Sequence, residues 1–194
     1  PPAILSIFLG EELEAIVDSI VNDHDYTDCT RKSLRIGVDV LPAIPKDTTD
    51  RNRTSPLAFT GNKFEFRSLG SSQSIAGPNT ILNTVMAEAL RQFAEELEAA
   101  EDFPSALHDL IKRAFAAHQR ILFSGNGYDE SWVREAEQRG LVNLRSAAEA
   151  IPAYILPKNI RLMTAHGVYS EAEMMARHEI HMEKYCKVIG IEAG

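Results

Sequence analysis

The hydrophobic pattern of the chain changes near Pro78, and this change constrains its fold more than any other feature. Before Pro78, apolar residues at helical spacing over about 9–22 are followed by short alternating runs and polar loops. After Pro78, apolar residues recur at helical spacing almost to the end. We therefore predict an α+β fold. Residues 1–78 form a mixed α/β part with a small sheet, and residues 79–194 form a helical C-terminal part.

Capping signals divide the second part into helices. A long helix is predicted over about 79–100, and the next begins near Asp102 and Pro104. Asp129 can cap a short helix that Gly140 ends. A final helix is predicted over about 171–189. Two serine–glutamate pairs have the spacing of a capping box: Ser146 with Glu149, and Ser170 with Glu173.

Two alternating segments in the first part predict strands. The first covers Leu34 to Val40, and the second covers Lys63 to Arg67. Successive side chains of a strand point to opposite faces. In the second strand, Phe64 and Phe66 therefore share one face, which is apolar enough to cover a core. Charged side chains share the other face: Lys63, Glu65 and Arg67.

The charged face of this second strand combines groups that suit a phosphate or carboxylate ligand. A carboxylate such as Glu65 can bind a hard divalent cation. An arginine can hold a carboxylate or phosphate through two parallel hydrogen bonds. The preceding polar loop adds Arg51, Asn52 and Arg53. The alternative interpretation is a solvated strand face beside an exposed turn, because surface strands often carry charges of both signs.

Composition narrows the possible partners. The chain of 194 residues has a formal net charge of −8, which argues against a protein that coats nucleic acid. No apolar run approaches the roughly 20 residues that span a bilayer. Two cysteines, Cys29 and Cys186, make no disulfide framework. We predict a cytoplasmic protein with neither nucleic-acid nor membrane partners. Because the chain begins with Pro1 rather than Met, we also expect it to be part of a longer protein.

The loop and the second strand together resemble the signature of glutamine synthetases. In that signature an Asn-Arg-Ser/Thr loop precedes a strand of the form Arg/Lys-x-Glu-x-Arg, as Asn52-Arg53-Thr54 precedes Lys63-Phe64-Glu65-Phe66-Arg67 here. The longer run from Asp50 to Arg67 is similar to the type III branch of that family. The resemblance extends over essentially the whole chain, including Asn83 to Glu98 and Asp102 to Tyr128.

The resemblance implies a reaction and roles for individual residues. Glutamine synthetases join glutamate and ammonia using ATP and divalent cations, Mg²⁺ or Mn²⁺, through a γ-glutamyl phosphate. Arg53, Glu65 and Arg67 would be catalytic. Arg53 and Arg67 would bind glutamate, Arg53 and Lys63 would bind ATP, and Glu65 would be a metal ligand. These roles are typical of enzymes that transfer phosphoryl groups, because their catalysis depends mainly on positioning the substrates and stabilising charge.

The resemblance also implies that essential parts lie outside this chain. In the family, the remaining metal-binding carboxylates lie upstream, and active sites form between neighbouring subunits of stacked rings. We therefore expect a homo-oligomeric ring, a dodecamer in the parent enzyme, and no activity from this chain alone.

Some features depart from the family pattern and leave alternatives open. The familiar bacterial enzymes carry a second arginine where this chain has Ala58, and the role of Lys63 is correspondingly open. One alternative is a glutamate–amine ligase of the same fold. Another is a non-catalytic helical oligomerisation module formed by 79–194. A zinc site at His178 and His181 is disfavoured, because these residues are three apart instead of the four that zinc proteases need.

Overall fold

A computed structural model describes residues 4–26, 33–34, 44–45, 49–50, 53–70 and 73–192. Its five strands, in chain order, are β1 (Ile7–Phe8), β2 (Ser33–Leu34), β3 (Ile44–Pro45), β4 (Leu57–Phe59) and β5 (Phe64–Phe66). β1, β4 and β5 form a mixed sheet in that order, with β1 parallel and β5 antiparallel to the central strand. β2 and β3 form a separate antiparallel pair.

The predicted helices are present, and one further helix, α6 (Pro157–Ala165), was not predicted from the sequence. Their bounds are α1 (Glu11–Asn22), α2 (Ala76–Glu98), α3 (Phe103–His118), α4 (Glu130–Gln138), α5 (Ala147–Ala150), α6 (Pro157–Ala165) and α7 (Glu171–Glu192). The α+β fold is therefore confirmed: a small mixed sheet precedes a mainly helical segment. Among the described residues, no helix has both the length and the apolar character needed to cross a membrane.

Local capping explains the predicted starts of α4, α5 and α7, whereas α2, which has no side-chain cap, begins three residues before its predicted start at 79. The Asp129 carboxylate accepts a hydrogen bond from the Ser131 N–H at 2.8 Å, and Gly140 follows α4 with a φ of 67°. Both predicted capping boxes form, at the start of α5 and of α7. These contacts span two or three residues, so sequence spacing is sufficient to predict them.

The strand predictions had a different outcome. β5 lies within the predicted strand at Lys63 to Arg67. Of the strand predicted from Leu34 to Val40, only Leu34 is described, at the end of β2. The remainder of that prediction lies outside the described residues.

The described residues up to Ser68 and those of Pro104–Val142 form one compact unit, here called the first unit. Its core centres on Trp132, which is almost completely buried together with Ile4 and Ala136. The indole ring stacks on Phe123 with ring centroids 3.8 Å apart. The Arg139 guanidinium also lies over the indole ring, 5.3 Å from its centroid. Trp132 therefore anchors α4 in this core.

The second unit comprises Leu69–Phe103 and the described residues from Asn143 onward. In it α2 contacts α6 through a polar side, where Thr84 is buried and the Glu88 carboxylate lies 2.8 Å from His166 Nε2. The apolar side of α2 is exposed at Val85, Met86 and Leu90. The two units interleave along the chain, and the domain boundary at residue 78 stays a prediction.

Candidate active site

The charged face of β5 is continuous, as strand alternation predicts. Lys63 Nζ lies 3.3 Å from Glu65 Oε1, and Arg67 Nη2 lies 3.2 Å from Glu65 Oε2. Arg67 follows the last residue of β5, and its N–H donates to the Pro56 carbonyl at 2.7 Å. This backbone bond continues the pairing with β4 and holds Arg67 on the same face as Glu65. The three predicted site residues are therefore adjacent.

The opposite face of β5 is not buried within the described part of the chain. The side chains of Phe64 and Phe66 remain 52% and 38% exposed, although Phe64 contacts Phe59 with ring centroids 5.3 Å apart. The expectation that this apolar face covers a core is wrong for the described residues. The physical reason is that, among the described residues, Phe59 on β4 supplies the ring contact to this face, and this contact leaves about half of Phe64 exposed.

The position of Ala58 explains why an arginine is absent there. Ala58 is fully buried in the central strand, directly opposite Glu65 in the antiparallel register. Directly opposed residues share a face of the sheet. A long cation at position 58 would therefore have to occupy the buried space beside Glu65.

Asp50 connects the loop before β4 to the charged face of β5. Its Oδ1 accepts hydrogen bonds from the N–H and the hydroxyl of Thr54, at 3.0 and 2.9 Å. Its Oδ2 accepts from the Ser55 N–H at 2.8 Å and from Arg67 Nη1 at 2.9 Å. The Asp50 side chain is only 2% exposed. These four donors compensate for the burial of the charged carboxylate.

Arg53 lies within the loop that Asp50 closes. Its backbone has a φ of 55°, and its N–H donates to the Asp50 carbonyl at 3.3 Å. The Arg53 residue is exposed, and within the described residues no carboxylate pairs with its guanidinium. Arg51 and Asn52, which the sequence also suggested as anion ligands, lie outside the described residues.

A second segment of the first unit, at Gly127, contacts the backbone of this loop. The Gly127 N–H donates to the Thr54 carbonyl at 2.9 Å. A Cβ on Gly127 would lie 2.4 Å from that carbonyl oxygen, closer than any real contact. Glycine is therefore required for the backbone at 127 to approach the loop this closely.

The electrostatics of the charged face keep Glu65 ionised. Hydrogen bonds from Arg67 and then from Lys63 lower the pKa of the Glu65 carboxyl below its usual value. Cations and carboxylates alternate along the network Lys63–Glu65–Arg67–Asp50. The network is therefore neutral overall, and the exposed Arg53 adds one positive charge beside it.

The described residues do not by themselves fit a divalent cation. They contain no group of three or more His, Cys, Asp or Glu side chains placed to hold a metal ion. Asp50 is saturated with donors, and both oxygens of Glu65 lie beside cations. Divalent magnesium or calcium needs several oxygen ligands, so Glu65 alone is insufficient.

Sequence analysis missed the role of Asp50. A signal was present, because an aspartate four and five residues before Thr54 and Ser55 can accept hydrogen bonds from their N–H groups and close a turn. The bond to Arg67 spans 17 residues and has no such local signal. The imidazole of His181, one of the two histidines considered for a zinc site, stacks on the ring of Tyr154 with ring centroids 4.9 Å apart.

Comparison with known proteins identifies the relatives of this chain. Residues 106–194 match the glutamine synthetase C-terminal domain. The whole chain aligns with a type-3 glutamine synthetase of Dictyostelium discoideum at 44% identity, and with a glutamine synthetase of Bacteroides fragilis at 38%. A glutamine synthetase of Butyrivibrio fibrisolvens is also 38% identical over the whole chain. The chain spans 27–28% of the length of these curated relatives. Along all of its length, the chain is therefore similar to glutamine synthetases, with a type-3 enzyme among these relatives.

Proposed function

We propose that this chain forms part of an enzyme that joins ammonia to L-glutamate at the expense of ATP, giving L-glutamine through a γ-glutamyl phosphate. The observation that carries the proposal is a set of hydrogen bonds between the loop and the strand. The Asp50 carboxylate accepts from the backbone of the turn that bears Arg53 and from the Arg67 guanidinium. The same guanidinium also bonds Glu65 on the charged face of β5. This arrangement of paired cations and carboxylates occurs in a chain that resembles glutamine synthetases over its whole length.

Arg67 is the proposed anchor for the substrate carboxylate. A guanidinium carries five N–H donors in a planar fork. One N–H of Arg67 is directed to Asp50 and one to Glu65, which leaves three donors for an anionic ligand. Asp50 and Glu65 also hold the plane of the fork, so little rotamer entropy is lost when glutamate binds.

Arg53 and Lys63 are the proposed contacts for the phosphates of ATP, and Arg53 also for glutamate. Both residues are exposed. A guanidinium on a fixed turn and an ammonium at the start of a strand can both stabilise charge that develops on a transferring phosphoryl group. Lys63 already pairs with Glu65, which limits its reach toward a ligand.

Glu65 is the proposed contribution of this chain to a divalent metal site, for Mg²⁺ or Mn²⁺. When bound, such an ion neutralises phosphate charge. The other ligands must come from polypeptide outside the described residues, because these residues supply no further suitable carboxylate cluster. We therefore propose that the chain is inactive alone. It acts in a ring-shaped homo-oligomer, a dodecamer by family resemblance, in which the missing upstream part supplies the other ligands.

The cytoplasm is the proposed location. Cys186 is a free, exposed thiol. Exposed thiols are retained most readily in a reducing compartment. ATP and glutamate, the proposed substrates, would have to be available in the same compartment.

Phosphate release by a complete enzyme carrying this sequence tests the proposed function. We expect release from ATP that requires both glutamate and ammonia. Glu65→Gln should lower kcat by roughly a hundredfold, because a lost charge contact in a phosphoryl-transfer site has about this effect. Glu183→Gln is the matched control, since Glu183 forms an exposed ion pair with Lys187 on α7. Near-normal turnover of the Glu65 variant would contradict the assignment, and preference for an organic amine would favour the amine-ligase alternative.

A helical self-association module is a second candidate, favoured by the exposed apolar side of α2. Val85, Met86 and Leu90 are all exposed in the described structure. Exposed apolar stripes of this kind often mark interfaces. Leu90→Lys in the complete protein should then lower the sedimentation coefficient of the assembly. An unchanged assembly together with intact activity would argue against this candidate and leave the ligase proposal in place.

A further inference from the structure

We infer that Asp50 is a positioning residue that sets the relative placement of the two anion-binding arginines, an inference that rests on the proposed function. The Asp50 carboxylate bonds the Arg67 guanidinium and the backbone of the turn that carries Arg53. It is the residue through which both arginines are held.

Asp50 itself is out of reach of a substrate. Its side chain is 2% exposed, and its two oxygens accept hydrogen bonds from Thr54 twice, from Ser55 and from Arg67. A carboxylate saturated in this way has no lone pair available for proton transfer or metal binding. Its contribution to the reaction must therefore act through Arg53 and Arg67.

The turn at Arg53 depends on Asp50 in two ways. Arg53 has a φ of 55°, a backbone conformation that residues other than glycine adopt only when their surroundings hold them. The Asp50 carbonyl accepts the Arg53 N–H on one side, and its carboxylate accepts the Thr54 and Ser55 N–H groups on the other. Removing the carboxylate releases two backbone donors next to Arg53, so its conformation is no longer enforced.

Arg67 depends on Asp50 for its orientation. The Nη1 group is bonded to Asp50 and the Nη2 group to Glu65, at opposite ends of the fork. With Asp50 neutralised, Glu65 is the remaining anionic partner of Arg67 in the described network. The guanidinium would then rotate about that contact, and the donors directed at the substrate would lose their alignment.

Charge and position predict opposite effects for Asp50→Asn. Removal of a negative charge beside Arg67 makes the site more positive, which by charge alone tightens binding of an anion. Loss of alignment weakens binding, because hydrogen bonds to charged groups require good geometry. The sign of the change in glutamate affinity therefore separates a positioning role from a purely electrostatic one.

The test is steady-state kinetics of a complete enzyme carrying this sequence, with glutamate and ammonia varied separately. For Asp50→Asn we expect KM for glutamate to rise at least tenfold, while KM for ammonia stays within about twofold. Asp50→Glu, which keeps the charge, should recover part of the glutamate affinity. Glu88→Gln is the control, because Glu88 also accepts four hydrogen bonds but lies in the second unit.

A second variant keeps the test decisive if Asp50→Asn does not fold. Thr54→Val removes a single hydroxyl donor to Asp50 and keeps the backbone bond. It should raise KM for glutamate by about two- to fivefold. An unchanged or lower KM for glutamate in the Asp50 variant, or in the Thr54 variant where the former does not fold, would overturn the inference. A wild-type enzyme without glutamate-dependent phosphate release would instead overturn the proposed function.

Discussion

The carboxylates of Asp50 in the first unit and Glu88 in the second unit each accept four hydrogen bonds, but they hold different kinds of structure in place. Asp50 in the first unit is 2% exposed, and two of its four donors are backbone N–H groups. Glu88 in the second unit is 23% exposed, and all its partners are side chains. Three of those four bonds come from Arg91 and Gln92, one helical turn away.

The difference shows that the number of hydrogen bonds does not measure how much structure a carboxylate organises. Pairs three or four residues apart on a helix contribute little, because both partners are close whether or not the tertiary fold forms. Of the Glu88 contacts, only His166 joins two helices. Asp50 instead fixes a backbone turn and a side chain 17 residues away. Loss of Asp50 should therefore change the shape of the candidate site, whereas loss of Glu88 should loosen one helix contact.

Asp50→Ala should have the largest effect on local stability. Breaking a buried charge pair by removing one partner costs about 3–5 kcal/mol, because the other partner and its donors are left unsatisfied. Amide hydrogen exchange in the complete protein should be faster at Thr54 and Ser55 by roughly a hundredfold to a few thousandfold. Unchanged protection at these two amides would mean that other contacts hold the turn. The proposed difference between Asp50 and Glu88 would then be wrong.

Gly127→Ala should have an intermediate effect on the same loop. The added methyl group would collide with the Thr54 carbonyl, a backbone atom that cannot rotate away. Steric insertions of this kind cost about 1–3 kcal/mol. In the wild type, the N–H of residue 127 donates to the Thr54 carbonyl. Faster hydrogen exchange of this amide in the variant would show that the two backbone segments have moved apart. Gly190→Ala is the matched control, because a Cβ there meets nothing within 4 Å.

Glu88→Gln should have a smaller effect, confined to the contact between α2 and α6. The variant keeps the side-chain shape but loses the charge that pairs with Arg91 and His166. We expect modestly faster exchange at His166 and Gly167, the amides that close the end of α6. An effect as large as that of Asp50→Ala would contradict the distinction between the two carboxylates.

The smallest predicted effect is a pH dependence in the second unit. Burial, with smaller contributions from Lys184 and Arg177, lowers the pKa of His181 below its ordinary value of 6.5. The unfolded chain then binds a proton more readily than the folded one, so stability is lost as the pH falls below 6.5. Protection factors in α7, which divide out the intrinsic pH dependence of amide exchange, should therefore be lower at pH 6 than at pH 7.5. His181→Gln should abolish this difference. The pKa of Glu65 is lowered from 4.5, so this carboxylate of the candidate site does not titrate in that range.

Sequence analysis predicted the features that depend on nearby residues. The caps at Asp129, Ser146 and Ser170 and the shared face of Lys63, Glu65 and Arg67 follow from local spacing, and the structure confirms them. The roles of the site residues in catalysis stay predictions. Features that depend on distant partners were missed or wrong. The sequence does not show that Asp50 bonds Arg67, and it does not show what lies over an apolar strand face.

The exposed aromatic face of β5 has a consequence for work with the isolated polypeptide. β5 is an edge strand of the described sheet, and Phe64 and Phe66 project from it with large exposed areas. Edge strands with apolar side chains are templates for pairing between molecules, and charges on the other face only partly prevent this. A preparation of these 194 residues alone should therefore form higher-order aggregates as its concentration rises. Dilute samples should keep the chain dispersed.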